Sequence, residues 1–555
     1  MLSVLLSYLY IAITTFLLGM GIKIFAQKYL GYEMKEITSI LYAGLGVATV
    51  YSGIYSLCSK VALGANLGML LMCVVIVIWG KKELLKFLQK IHENTTKGKY
   101  FLVVIFLLVF SYGASRGYLH FDSGLYHAQA IRWIEEYGVV PGLANLHCRL
   151  AYNSSAFTLT ALYSMEFLVG QSLHTVAGFM AMVLCGKGFS VVQVFWRKKV
   201  KVSDFLKVAM LFYISIIYSE MMSPASDYFA MLFLFYIVLR WVELEEEGEK
   251  NIASYSLLCV LLAVTVTVKL SAAIMLLMVL KPAVILIKEK RYGQIALYLS
   301  MGIVAMFPYL ARNIILSGWL VYPFPGIDLF SLDWKIPAGE AAYDAEEIKV
   351  YAKGMTDVLL KDISILEWLP KWFSALKGLE KIWVLSSVVS MMAGGLFALW
   401  VWIKKETKYK GLLFVEVVMI AGYLFWQIGT PLVRYGYIYI LAFPFFTIGL
   451  WFVFLFEKRP KSYLLFVTLL LVFFGYKGGN LLQIIVDSAP QEYYVWQRDY
   501  ETLDYDSYKI GETCFYVPLE SGQIGYEKFP AAPYERYDVE MRGESLAEGF
   551  RRIQN

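Results

Sequence analysis

Long apolar runs broken by short polar loops dominate this chain. A membrane crossing needs about 20 consecutive apolar residues. Fourteen runs approach that length: 2–22, 36–57, 61–80, 100–116, 172–195, 204–221, 225–242, 253–268, 271–287, 294–315, 381–403, 411–429, 433–456 and 462–485. They predict an all-α polytopic membrane protein with about 14 transmembrane helices. Lys81, Lys82 and Lys86 follow the third run, and Arg197, Lys198 and Lys199 the fifth. Lys288, Lys290 and Arg291 follow the ninth, Lys404 and Lys405 the eleventh, Lys458 and Arg459 the thirteenth. Fourteen crossings put all of these on one side, and the positive-inside rule makes that side the cytoplasm. Both termini then face outward, and the protein is expected in the cytoplasmic membrane with its site on the outer side. Residues 1–485 read as one transmembrane domain with outer loops 117–171 and 316–380. Residues 486–555, rich in Tyr and carrying Pro518, Pro530 and Pro533, read as a small α/β cap outside the membrane.

Composition agrees. Hydrophobic residues make up 59% of the chain and charged ones 17%, against roughly 25% charged in soluble domains. The net charge of +6 hides an asymmetry: from Asp487 onward there are 14 acidic and 7 basic residues, so the remainder carries +13. The six cysteines show no metal-ligand spacing; Cys148 and Cys514 lie in polar regions, and a bridge between them is left open. There is no P-loop, no Rossmann glycine pattern, no Ser/His/Asp set and no HExxH. A cytosolic nucleotide-sugar site and an ATP-driven pump are therefore disfavoured.

The densest chemistry follows the fourth run. Four of the five histidines, His120, His127, His147 and His174, fall in or just after the first outer loop. Read as a helix, Asp122, Tyr126, Gln129, Trp133 and Glu136 share one face. An amphipathic helix on the outer membrane surface, a turn at Pro141-Gly142 and a second short helix returning to the bilayer are expected. An interfacial helix whose polar face meets water explains Glu135 and Glu136. It explains Asp122 poorly, because an acid directly after an apolar run sits where low dielectric makes its charge costly. Such a carboxylate is a candidate general base.

Asp227, Lys269, Arg312 and Arg434 fall at the same outer level. Each has a bland reading: an acid favoured at a helix N-terminus, a snorkelling lysine, interfacial anchors. Independent anchors would scatter between the two faces, whereas a shared site gathers them. The three cations suit a phosphate, with the arginines able to bind it bidentately. Tyr126, His127 and Gln129 complete the expected substrate-binding set, with Arg132 a weaker candidate beside them.

A membrane helix ending in an acid, followed by an outer loop of membrane-parallel helices, resembles the GT-C glycosyltransferases. The segments Phe121-Asp122-Ser123-Gly124-Leu125-Tyr126-His127, Trp133-Ile134, Val140-Pro141-Gly142-Leu143, Asn145-Leu146-His147 and Asn153-Ser154-Ser155 look like a group of bacterial membrane proteins placed near that superfamily. The resemblance implies a GT-C-like fold, a polyprenyl-phosphate sugar donor and a catalytic role for Asp122. Many members carry paired acids in this loop, but here Ser123 and Gly124 follow Asp122. A divalent metal is left open, with no metal ligand assigned and no cofactor required.

Two classes of function follow. The first is an inverting glycosyltransferase that moves a sugar from a polyprenyl-phosphate donor to an acceptor hydroxyl on an outer-face glycan, lipid or protein. The alternative is a transporter or flippase of lipid-linked glycans, or a polymerase that joins them. Transporters tend to place polar sites at the bilayer midplane between repeated halves; here the polar residues gather at one face and no half repeats the other. No nucleic-acid partner is expected.

Overall fold

Apolar length becomes helix at every one of the fourteen runs. The structure, a computed structural model, describes residues 1–520 and 522–553. Its helices begin with α1 Leu2–Leu30, α2 Ile37–Ser56, α3 Leu63–Asn94, α4 Lys97–Arg116, α5 Ala128–Glu136, α6 Ser155–Tyr163 and α7 Glu166–Val169. They continue with α8 Val176–Phe189, α9 Val194–Arg197, α10 Val202–Ile217, α11 Ser226–Glu247, α12 Ile252–Val268, α13 Leu280–Lys288 and α14 Tyr292–Ser317. The last six are α15 Ala338–Ala352, α16 Ile365–Ala375, α17 Gly378–Lys404, α18 Lys410–Gly429, α19 Phe443–Phe456 and α20 Tyr463–Ser488.

Among the described residues, 12 helical stretches are long and apolar enough to cross a membrane. The other two of the fourteen runs are α11, which carries Asp227, Arg240 and Glu243, and the 17-residue α12. α11 is the axis of the bundle: every residue from Ser226 to Leu244 is buried. Its apolar side chains pack on every side and its charges pair with neighbouring elements, so it has no face to give to lipid.

α1 and α2 cross at touching distance. A Cβ added to Gly19 would lie 1.9 Å from the Ile40 carbonyl oxygen, and one added to Gly44 would lie 1.8 Å from that of Thr15. Small residues let membrane helices pack backbone to backbone. Gly44→Ala should force the pair apart, costing about 1–3 kcal/mol of overpacking and lowering the thermal unfolding temperature in detergent; an unchanged midpoint would mean the crossing adapts.

The two ends of the bundle differ in chemistry. At one end the Met1 ammonium donates to the Tyr493 carbonyl (2.7 Å), so both terminal segments lie together. At the other end the Asn251 amide donates to Gly31 O (2.9 Å). A buried ionic network holds that second end. Lys187 contacts Glu36 (2.8 Å) and Glu243 (2.7 Å), Lys207 contacts Glu243 (3.3 Å), and Arg240 contacts Glu247 (3.2 Å). The lysine-rich turns belong to this second end.

The C-terminal segment departs from the α/β expectation. It contains two antiparallel pairs, β1 Tyr505–Ile510 with β2 Thr513–Pro518 and β3 Val539–Met541 with β4 Phe550–Arg552. Its one helical element among the described residues is the 3-10 turn Leu546–Glu548, so the cap is β with loops. No Cys148–Cys514 bridge forms; all six cysteines are free.

The cap sits on α5, and this corrects the picture of a helix lying on the membrane surface. The Gln129 amide donates to Lys528 O (2.8 Å) and Gly525 O (3.2 Å), and Arg132 donates to Glu527 O (2.6 Å). Glu135 accepts from Tyr526 Oη (2.6 Å) and Ser172 Oγ (2.8 Å). Gln129 and Glu135, on the side that sequence periodicity assigns to water, are buried under the cap, whereas Glu136 stays exposed. α6, the expected helix returning to the bilayer, is buried at all nine positions.

Burial raises Glu135 to about 7, against the pull of hydrogen bonds from Ser164, Tyr526 and Ser172. The folded protein therefore holds this proton more tightly than the unfolded chain does. Its contribution to docking is full below the ordinary value of 4.5 and is lost as pH rises through about 7. The swing is on the order of 3 kcal/mol. Protease cleavage of the cap should be faster at pH 8 than at pH 5, and Glu135→Gln should flatten that difference; a wild-type profile already flat would remove Glu135 from the latch.

Candidate functional site

Four departures from regular helix converge at the end of the bundle that holds the termini. A π turn, Ser123–His127, follows Asp122 directly. A ten-residue 3-10 stretch, Leu270–Val279, follows Lys269. A 3-10 turn, Val433–Tyr435, contains Arg434, and a π turn, Ile438–Ala442, follows it. Such segments cost hydrogen-bond quality and cluster at functional sites. Here three of them adjoin or contain a charged side chain: Asp122, Lys269 and Arg434.

Those side chains meet. Arg434 Nη2 donates to Asp122 Oδ2 (2.7 Å), and Arg434 Nε lies 3.0 Å from Asp227 Oδ2. Lys269 Nζ pairs with Asp227 Oδ1 and lies 3.7 Å from the centre of the Tyr435 ring. The result is an alternating chain, Asp122–Arg434–Asp227–Lys269, whose formal charges cancel. Burial works against the charge on Arg434, but Asp227, Tyr435 and Asp122 outweigh it and hold the guanidinium above its ordinary value. The Asp227 side chain is 7% exposed, whereas those of Asp122 and Arg434 are 18% and 24% exposed. The cluster is thus rooted at Asp227 and reachable at Asp122.

His120 joins this group, although the sequence offered it only as one of four clustered histidines. Arg434 Nη1 donates to His120 Nε2 (2.8 Å). The other ring nitrogen, Nδ1, faces the Asp122 backbone N–H (3.1 Å), so each ring nitrogen meets a donor. Nδ1 lies 3.9 Å from Asp122 Oδ2. The His120 backbone N–H donates to Ser223 Oγ (2.6 Å), which fixes the loop against the segment before α11.

The remaining expected residues divide. Tyr126 stands beside the cluster, its hydroxyl pushed well above the ordinary value by burial and by the nearby Asp122. His127 packs against Tyr126 (4.3 Å between ring centres) and Phe157 (5.0 Å), and burial drives its pKa well down, which makes it a neutral wall. Gln129 points away to the cap, because i→i+5 bonding through the π turn breaks the helical register that sequence spacing assumes. Arg312 is also elsewhere. It donates to Asn153 Oδ1 (2.8 Å), Ser56 Oγ (2.7 Å) and Gly138 O (3.2 Å), knitting α14 to α2 and the first outer loop. Of the three cations expected to meet a phosphate, only Arg434 and Lys269 share the cluster.

No group of three or more His, Cys, Asp or Glu side chains among the described residues is arranged to hold a metal ion. The cap reaches the cluster's edge: Gln523 Nε2 donates to Phe121 O (3.0 Å), and the Ile524 and Gly525 backbone N–H groups donate to Gly124 O (2.9 Å each). The Asp122 motif is therefore held from α4, from the Ser219–Ser223 segment and from the cap together.

No curated protein and no solved structure matches this chain. A family model described as a domain of unknown function, DUF8201, matches residues 1–441. That span takes in Asp122, Asp227, Lys269 and Arg434 and ends before the cap; the chain belongs to the DUF8201 family.

Proposed function

We propose that this protein is an inverting glycosyltransferase of GT-C type, taking a sugar from a polyprenyl-phosphate donor on the outer face of the cytoplasmic membrane. The observation that carries this reading is the Asp122–Arg434–Asp227–Lys269 chain, a reachable acid joined to two cations at the end of the bundle away from the lysine-rich turns. By the positive-inside rule, that end faces out.

In this mechanism the donor's phosphate takes Arg434 and Lys269 as its counter-charges, with Arg434 offering a two-pronged fork. The same step withdraws Arg434 from Asp122 and from His120 Nε2. The base is freed only when donor is present. Asp122 then takes the proton of the acceptor hydroxyl, the hydroxyl oxygen bonds to the anomeric carbon, and the carbon–phosphate-oxygen bond breaks with its electrons going to polyprenyl phosphate. The two cations stabilise the leaving phosphate in a site shielded from bulk water. His120, which meets the Asp122 backbone N–H through Nδ1 and Arg434 through Nε2, keeps the acid and the guanidinium in register.

Lipid-linked saccharide profiles of a deletion strain test the reading. Transfer predicts accumulation of an intact polyprenyl-phosphate sugar on the outer face together with an acceptor that lacks the sugar. Accumulation of a complete lipid-linked glycan on the inner face would instead favour a flippase.

A further inference from the structure

A cavity of about 440 Å³ lies in the other half of the bundle, between α2, α3, α12 and α14. At one extreme it meets Tyr32, from the linker between α1 and α2, and Arg240 in the ionic network; at the other it reaches Val50, Tyr51 and Val264, in the last third of α2 and α12. It stops short of the Asp122 cluster. α2 and α14 close over it where Gly53 meets Pro308, 3.0 Å from the position of an added Cβ, and Arg312 bonds Ser56 above that seam. Val304 of α14 lines the cavity and is 54% exposed, so the cavity opens on that flank of the bundle.

The floor explains the space. Ala43, Gly46 and Val47 present little volume along one face of α2, and a Cβ on Gly46 would already lie 2.9 Å from Leu261. The walls are almost wholly apolar. The one charge at the cavity, Arg240, is spent on Glu36, Glu243 and Glu247. An ionic ligand has nothing to bind inside, while an unfilled apolar space forfeits the dispersion contacts of its lining.

We infer that this cavity holds one acyl chain of a glycerophospholipid from the leaflet at the lysine-rich end. The medium facing the opening is lipid hydrocarbon. An apolar space of about 440 Å³ is poorly suited to ordered water and well suited to hydrocarbon. The basic turns at the same end suit an anionic head group. The seam at Gly53 and Pro308 separates this lipid from any ligand of the outer site, so the inference stands apart from the transfer reaction.

The test is lipid retention. Wild-type protein, purified in a mild detergent and washed, should keep about one phospholipid per chain by native mass spectrometry. Val47→Phe, which fills the floor, should cut retention at least fivefold, while Val389→Phe on a lipid-facing position of α17 should not. No retained phospholipid in the wild type, equal retention in Val47→Phe, or a retained polyprenyl phosphate would each overturn the inference. A second probe covers a Val47 variant that fails to fold. Phosphatidylglycerol with a diazirine on its acyl chain should label Met72 and Met301 preferentially in the wild type; labelling spread equally over Val389 and Leu396 would overturn the inference too.

Discussion

Replacing Asp122 with Asn is expected to abolish complementation of a deletion strain while leaving the protein abundant and folded. Asn keeps the shape and an acceptor oxygen for Arg434 Nη2 but cannot take a proton at neutral pH. Loss of a general base costs typically 10²–10⁴-fold in rate. The fold should tolerate the change because Arg434 retains Asp227, 3.0 Å from its Nε, and the Asp122 side chain is partly solvated. The measurement is outer-glycan synthesis in cells expressing each form at matched levels, alongside thermal unfolding of the purified proteins. Loss of abundance together with activity would instead mark Asp122 as structural.

Arg434 should be the most sensitive position of all, and its two substitutions should separate chemistry from folding. Arg434→Lys keeps a charge but cannot reach Asp122, Asp227 and His120 at once. Transfer should fall by at least about 100-fold with protein levels near wild type, since lysine is a point charge where a planar fork is used. Arg434→Met leaves Asp122 without a cation and Asp227 with Lys269 alone. Truncating one partner of a buried charge pair costs about 2–5 kcal/mol, and partial exposure of Asp122 places this case toward the lower end. Asp122→Asn in the Met background should recover part of that stability, because the two changes touch one network and do not add. Full additivity would mean that the 2.7 Å contact between them carries no coupling.

Much of the architecture was legible from apolar length alone, because a lipid-facing helix cannot hide its composition. The depth of each site residue was legible for the same reason: span boundaries place Asp122, Asp227, Lys269 and Arg434 at one end. Direction around each helix was not. Arg312 stands near that end yet turns toward Ser56 and Asn153, and no hydropathy pattern encodes azimuth inside a bundle. Gln129 was misplaced because a π turn intervenes, and π turns leave no periodic trace. His120 was within reach two residues before Asp122, but its partner Arg434 lies 314 residues away. The ionic network at the far end was passed over because positive charge orients loops, whereas Glu36 and Glu243 matter there as buried partners of Lys187. A covering tail was expected, but not its seat on α5, because the polar face of a helix looks the same in sequence whether water or protein covers it.

The most direct measurement is release of polyprenyl phosphate by the purified protein in lipid vesicles, supplied with a panel of polyprenyl-phosphate sugars and an outer-membrane-face glycan fraction as acceptor. A catalytic centre built on Asp122 and Arg434 predicts acceptor-dependent release from at least one donor by the wild type and none by Asp122→Asn. Release at the wild-type rate by Asp122→Asn, or no release from any donor by the wild type, would contradict it.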